Sequence, residues 1–207
     1  MPNYHQYNDN VFINCPFDDQ YLDIFHAIVF TVADCGFYVR CALEENDGAQ
    51  NRLEKIMNII DECKYGIHDI SRTELDQVSQ LPRFNMPLEL GIFLGARYFG
   101  EPTLQGAKKC LILDRERFRF QQFISDIAGQ DPASHDNNVH IAIQKVRDWL
   151  RNISRRNTIP GSNIIVDHYT RFIAELPAIA TNTGINPAHI PFIDYYWFVT
   201  EWLRVNT

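Results

Sequence analysis

The sequence has no C-x-x-C pair, and its five cysteines, Cys15, Cys35, Cys41, Cys63 and Cys110, are odd in number. A disulfide scaffold is therefore not expected. The apolar surroundings of Cys15, Cys41 and Cys110 point instead to buried free thiols in a reducing compartment, and a cytoplasmic location is expected. The seven histidines form no H-x-x-x-H or H-E-x-x-H pattern, so no zinc or other metal site is expected. G-x-G-x-x-G, G-x-x-x-x-G-K-[ST] and G-x-S-x-G are all absent. That removes the common dinucleotide fingerprint, the P-loop and the nucleophile elbow of the α/β-hydrolases. Positive charge is scarce: 19 Lys and Arg against 26 Asp and Glu leave a net charge of −7. Such a chain is a poor general binder of nucleic acid or anionic membrane. No apolar run approaches the ~20 residues of a membrane span, and the polar first ten residues lack the apolar core of a signal peptide.

What is present is ordinary globular composition, 45% apolar and 22% charged over 207 residues. At roughly 150 residues per domain this is one domain with an extension. Residues 11–15 read as a strand closed by Pro16. Asp18 is placed to cap a helix with apolar positions Tyr21, Leu22, Phe25, Ile28, Val29 and Val32, and Gly36 to end it. Residues 37–43 form a second strand, and Leu53, Ile56, Met57 and Ile60 a second helix. Residues 65–70 form a third strand. Residues 71–84 are a connection too long for an ordinary strand-to-helix turn, hence a candidate functional loop. Pro87 opens a third helix, and residues 110–113 are a fourth strand. This alternation predicts a flavodoxin-like three-layer α/β fold, its parallel sheet having at least four strands in the order 2-1-3-4.

Beyond Asp114 the aromatic segment 118–127 predicts a short helix and 128–138 a loop. Ile143, Val146, Leu150 and Ile153 share one helical face. Arg147, Arg151 and Arg155 line another, either as a solvated face or as a site for phosphate or an acidic partner. The domain is expected over residues 1–157, with a helical extension over 158–207. Residues 192–205 are apolar nearly all round and must be buried against the α/β core or a second subunit. A homo-oligomer through this helix is expected.

Ligands of open parallel sheets bind beyond the carboxyl ends of the strands. Those ends are Asn14-Cys15-Pro16-Phe17-Asp18, Glu44-Glu45-Asn46, His68-Asp69-Ile70-Ser71-Arg72 and Asp114-Arg115, with Arg83-Phe84-Asn85-Met86-Pro87-Leu88-Glu89 opening the third helix. Glu89 is the candidate catalytic residue. In a first helical turn the dipole would hold it ionised, and Gly91 and Gly95 would let the helix approach the sheet. An ionised carboxylate there can attack, or stabilise, the oxocarbenium ion formed when a bond to a ribose anomeric carbon breaks; the plain alternative is a favourable helix-start charge. Asn14 can bind a sugar hydroxyl or base, or merely shape the turn. Asp69 and Ser71 can hold ribose, or Asp69 can pair with Arg72 while Ser71 caps a turn. Arg72 and Arg83 are possible phosphate ligands, Phe84 a stacking platform, and His68 a core histidine. The substrate-binding set is Asn14, Phe17, Asp69, Ser71, Arg83, Phe84 and Asn85.

Cys15-Pro16-Phe17 after the first strand and Glu89-Leu90-Gly91 at a helix start resemble the nucleoside 2-deoxyribosyltransferase-like group. Val11-Phe12-Ile13-Asn14 with Asp18 is similar to the opening of TIR (Toll/interleukin receptor) domains. The segments 65–72 and 83–91 also look like uncharacterised bacterial proteins of similar length. The likeness covers residues 10–114. It implies an N-glycosidic hydrolase or transferase acting on NAD or a nucleotide or nucleoside, with Glu89 as nucleophile or oxocarbenium stabiliser and no metal. Bacterial relatives of both groups act in nucleotide salvage or antiphage defence. Phe84-Asn85-Met86-Pro87 replaces the Asp-Ser-Gly-Thr-like turn of the deoxyribosyltransferases, which favours the alternative of a non-catalytic nucleotide-signal-binding or TIR-like interaction module.

Overall fold

Alternation along each strand sorts its side chains to opposite faces of the sheet. In β1 (Asn10–Asn14), Val11 and Ile13 turn toward one layer and Phe12 toward the other. The computed structural model describes residues 6–45, 47–73 and 83–207. Residues 74–82, most of the candidate functional loop, and Asn46 lie outside the described residues.

The remaining strands are β2 (Tyr38–Cys41), β3 (Tyr65–Asp69), β4 (Lys109–Asp114) and β5 (Ala133–Ser134). All pair in parallel, in the order β2-β1-β3-β4-β5, a flavodoxin-like α/β fold. β5 lies inside the segment 128–138 expected as loop, and two residues are too few for any alternation to show. The 118–127 segment forms two 3-10 turns, Arg119–Gln122 and Ser125–Ile127, instead of one helix.

The helices α1 (Leu22–Asp34), α2 (Arg52–Asp61), α3 (Asn85–Phe99), α4 (Val139–Ser154), α5 (Ser162–Asn182) and α6 (Phe192–Asn206) divide between the faces. Ile56, Ile59 and Ile60 of α2 and Phe93 of α3 cover Phe12. The α1, α4, α5 and α6 side chains join Val11, Ile13, Ile67 and Leu113 in one larger core. Within it Tyr195, Phe198, Val199, Trp202 and Leu203 of α6 are buried. The Tyr195 ring stacks on His26 at 3.8 Å, and its hydroxyl donates to the His26 carbonyl at 3.0 Å. The burial that this apolar helix requires is thus supplied by its own chain, and each side chain such as Phe198 contributes about 1.5–3 kcal/mol. Among the described residues no helix is long and apolar enough to cross a membrane.

Three expectations need correction. Asp18 does not cap α1, whose N-cap is Tyr21 with no side-chain bond; the Asp18 carboxylate accepts from Arg72 and Arg83 instead. Pro87 does not open α3, which begins two residues earlier, but lies in the first turn, where its missing N–H costs nothing. Gly91 and Gly95 do not bring α3 to the sheet, since a Cβ on either would meet open space. The close approach is at Gly66 of β3, where a Cβ would lie 2.8 Å from the Phe93 ring. Gly36, with φ +77°, ends α1 as expected. The arginine stripe secures the α4–α5 turn: Arg147 Nε donates to Pro160 O at 2.6 Å, Arg151 to Asn157 at 2.9 Å, and Arg155 ends α4 at φ +57°.

Candidate functional site

The sheet order reverses direction between β1 and β3, so the crevice above their carboxyl ends is where a ligand of this fold is expected. Asn14 and His68 stand opposite each other there. Buried Asn14 donates through Nδ2 to the Met86 carbonyl at 2.8 Å and to His68 Nδ1 at 3.1 Å, tying β1 and β3 to the first turn of α3. With Nδ1 accepting, the His68 proton sits on Nε2, which has no partner among the described residues. Burial, aided by the nearby Lys108 cation, lowers His68 to about 3, so it is neutral. This is the core histidine that the sequence predicted.

The ends of β3 and β4 are filled by two buried polar clusters. Asn137 N–H donates to His135 Nδ1 at 3.1 Å, so His135 Nε2–H is the donor to Asp69 Oδ2 at 2.9 Å and Ser71 Oγ at 3.1 Å. Asp136 and Asn137 hold this arrangement from left-handed backbone, at φ +54° and +53°. Asp69 Oδ1 accepts Ser71 N–H at 2.8 Å, and Asp69 makes no pair with Arg72. Aspartate and serine share one ring nitrogen, so this trio cannot work as a serine nucleophile, base and orienting acid. The buried Tyr21 hydroxyl, which meets no described residue at good hydrogen-bond geometry, is raised by desolvation and by the nearby Asp69 carboxylate. In the second cluster Arg119 donates to Asp114 at 2.7 Å, to the Ile70 carbonyl at 2.7 Å and to Thr73 Oγ1 at 3.2 Å. Burial raises the Asp114 carboxyl against the opposing guanidinium.

Glu89 lies on the α2–α3 side of the crevice. It is only 6% exposed, yet its carboxylate makes no hydrogen bond or ion pair with any described residue. It belongs to the second turn of α3, since the helix starts at Asn85. The dipole effect fades beyond the first turn. Burial therefore prevails and pushes the carboxyl up to about 7, with Arg52 opposing; the expectation that the dipole would hold it ionised is corrected. Glu89 lines a cavity of about 330 Å³ with Asn85 and Leu88 of α3 and with Asn51, Arg52, Leu53 and Ile56. Asn51 caps α2, its Oδ1 accepting from Leu53 N–H at 2.9 Å and Glu54 N–H at 3.3 Å. At the end of β1 the Cys15 thiol is pushed well up by burial, then by Asp69, with Glu89 a smaller contributor.

Of the sequence-predicted site residues, Asn85 and Glu89 share this cavity, and Asn14 supports it through Met86. Asp69 and Ser71 are buried in the His135 cluster. Arg83 Nη1 donates to Asp18 at 3.3 Å, Arg72 Nη2 donates to the same carboxylate at 3.2 Å, and neither lines the cavity. Phe84 is 61% exposed, and Phe17 packs edge-on against Phe25 at 5.2 Å. Arg52 and His135 are residues the sequence reasoning missed. Arg52 was within reach of the strand-end rule, because the loop after β2 leads directly to it. Nothing near His135 marked it. Compared with models of protein families and with curated proteins, the chain finds no match.

Proposed function

We propose that the chain is an N-glycosidic enzyme acting on NAD or on a nucleotide or nucleoside, with Glu89 as its catalytic carboxylate. The observation that carries this reading is a nearly buried carboxylate, without a described partner, lining a cavity at the crevice of a flavodoxin-like sheet. A carboxylate left unpaired in such a place costs stability and is the kind of group retained for chemistry. The cavity, about 330 Å³, is at the small end of the ~300–1,000 Å³ usual for ligand sites. The resemblance of residues 10–114 to deoxyribosyltransferase-like and TIR proteins supports the same chemistry.

In this mechanism ionised Glu89 attacks the anomeric carbon as the C–N bond breaks, and the bonding pair leaves with the base. Water then attacks the same carbon, the ester bond to Glu89 breaks, and the carboxylate is regenerated as the sugar hydroxyl forms; the proton that water loses goes to the departed base anion or, when the neutral nicotinamide of NAD is the leaving group, to solvent. Asn85, which lines the same cavity, holds a ribose hydroxyl in this proposal. Asn14 acts as a positioning residue, fixing the α3 turn that carries Asn85. The test is to incubate the purified protein with NAD, common nucleotides and nucleosides and to look for free base by chromatography. Release of none of the bases would overturn the reading.

A second reading is a module that binds a nucleotide signal without turnover. It is favoured by Asn14, Asp69 and Ser71, whose hydrogen bonds are spent within the chain. Calorimetric binding of a nucleotide with no base released selects it. A homo-oligomer through the C-terminal helix is also proposed, using the exposed edge Ile193, Trp197 and Val205 of α6. A monomer at micromolar concentration in sedimentation removes it.

A further inference from the structure

Glu89 is not the only charge at the cavity. The exposed Arg52, the first residue of α2, lines the same space, and no described residue gives its side chain a hydrogen bond or an ion pair. The other arginines around the strand ends are committed: Arg40 to Glu44 and Glu62, Arg72 and Arg83 to Asp18, Arg119 to Asp114. Arg52 and Glu89 are near enough for the guanidinium to oppose the rise of the carboxyl, yet they form no ion pair. The cavity thus holds a cation and a nearly buried acid apart, on α2 and α3.

The start of α3 adds donors. Its N-cap, Phe84, supplies no side-chain cap, in contrast to Asn51 at α2. The first N–H groups of a helix have no intrahelical partner, so those of Asn85 and Met86 receive none from the N-cap side chain. Asn85 itself lines the cavity. An arginine and an uncapped helix start on one cavity favour an anion, phosphate above all. Leu53, Ile56 and Leu88 supply an apolar wall for the flat face of a base.

We propose that Arg52 is the phosphate ligand of this cavity and selects a nucleoside 5′-phosphate, free or within a dinucleotide, over the unphosphorylated nucleoside. The proposal rests on the reading in which Glu89 meets the anomeric carbon. A ribose carries its 5′-substituent and its anomeric carbon on opposite sides of the ring oxygen. A phosphate held by Arg52 therefore leaves the other flank of the sugar for Glu89. Arg83, the phosphate candidate in the sequence, has the Asp18 carboxylate in that role already.

The test is calorimetric, in the Glu89→Gln background so that binding is read without turnover. Probes are the four common ribonucleoside 5′-monophosphates, their nucleosides, NAD and inorganic phosphate. At least one monophosphate should bind about tenfold or more tighter than its nucleoside, the size of one charge-assisted contact. Arg52→Gln should bring the two within about threefold, Arg52→Lys should keep part of the difference, and Arg83→Gln should keep all of it. Circular dichroism of each variant establishes that it is folded. A preference that survives Arg52→Gln, or a chain that binds none of the probes, overturns the proposal. Base release separates the two readings. The Arg52 pattern without base release from the wild-type chain sinks the glycosidase and leaves the phosphate site standing. Equal release from nucleosides and their phosphates sinks the phosphate site alone.

Discussion

Gly66 of β3 and Phe93 of α3 are in such close contact that a Cβ on Gly66 would lie 2.8 Å from the ring and 2.7 Å from His68 Nε2. That contact sets how near α3 comes to the sheet, and hence the depth of Glu89 four residues earlier. Gly66→Ala should lose about 1–3 kcal/mol, the usual cost of overpacking a core. Gly91→Ala, whose Cβ meets open space, should gain about 0.5–1 kcal/mol from helix propensity. Urea unfolding of both variants checks this, and a destabilised Gly91→Ala would place the close contact on the wrong glycine.

Glu89 should cost stability in a pH-dependent way. Its carboxyl is raised from 4.5 to about 7 in the fold. Below pH 4.5 it is neutral in both folded and unfolded chains, and there is no penalty. Between 4.5 and 7 only the unfolded chain ionises, so stability falls as pH rises, and the full penalty applies above about 7. Glu89→Gln should therefore raise the melting temperature at pH 8 and change it little at pH 4.5. An equal effect at both values would mean that Glu89 does not titrate this way.

The same substitution should lower kcat for base release at least a hundredfold with KM roughly kept, since the charge acts in the transition state. Under the proposed mechanism, in which ionised Glu89 is the nucleophile, kcat/KM of the wild-type chain should climb through pH 7 to a plateau. A fall through pH 7 would make Glu89 a general acid. Base release unchanged within about threefold in Glu89→Gln would remove it from the mechanism.

Ser71 should be dispensable for chemistry despite its place beside His135 and Asp69. Ser71→Ala removes one acceptor of His135 Nε2–H and leaves Asp69 to receive it. The expected cost is about 1 kcal/mol of stability, with turnover within about threefold. His135→Ala leaves Oδ2 of the buried Asp69 carboxylate without its donor, Oδ1 keeping the Ser71 N–H, and should cost several kcal/mol. Chemical denaturation and base-release assays on the pair distinguish a structural trio from a catalytic one.

Acid should loosen α6. Burial lowers His26, stacked on Tyr195, from 6.5 to about 4. As pH falls below 6.5 the unfolded chain takes up a proton that the folded one refuses. Stability is lost down to about pH 4, by up to about 3 kcal/mol from this residue. His68, neutral down to about 3, adds to the same trend. His26→Phe keeps the stacking and cannot protonate, so it should hold its tertiary circular dichroism signal to lower pH than the wild type. An unchanged acid midpoint would contradict this.

Most of the architecture was legible in the residues themselves. Apolar residues alternating around Phe12 and recurring at helical spacing through α1 are local patterns, and short right-handed crossovers leave few ways to join them. From these the sequence determined four strands in order, the glycine ending α1 and the buried state of His68. Its arithmetic stopped at distances that only the folded sheet spans. Asn14 reaches Met86 across 72 residues, and His135 reaches Asp69 across 66. Such pairs depend on the register of parallel strands and on which face each helix covers, and no local period encodes either. β5 is too short to show a pattern, and the ionisation of Glu89 depends on how deeply Gly66 lets α3 sink. The tertiary structure alone decided that Arg52 and Glu89 share one cavity, because α2 and α3 cover the same face of the sheet at its carboxyl end.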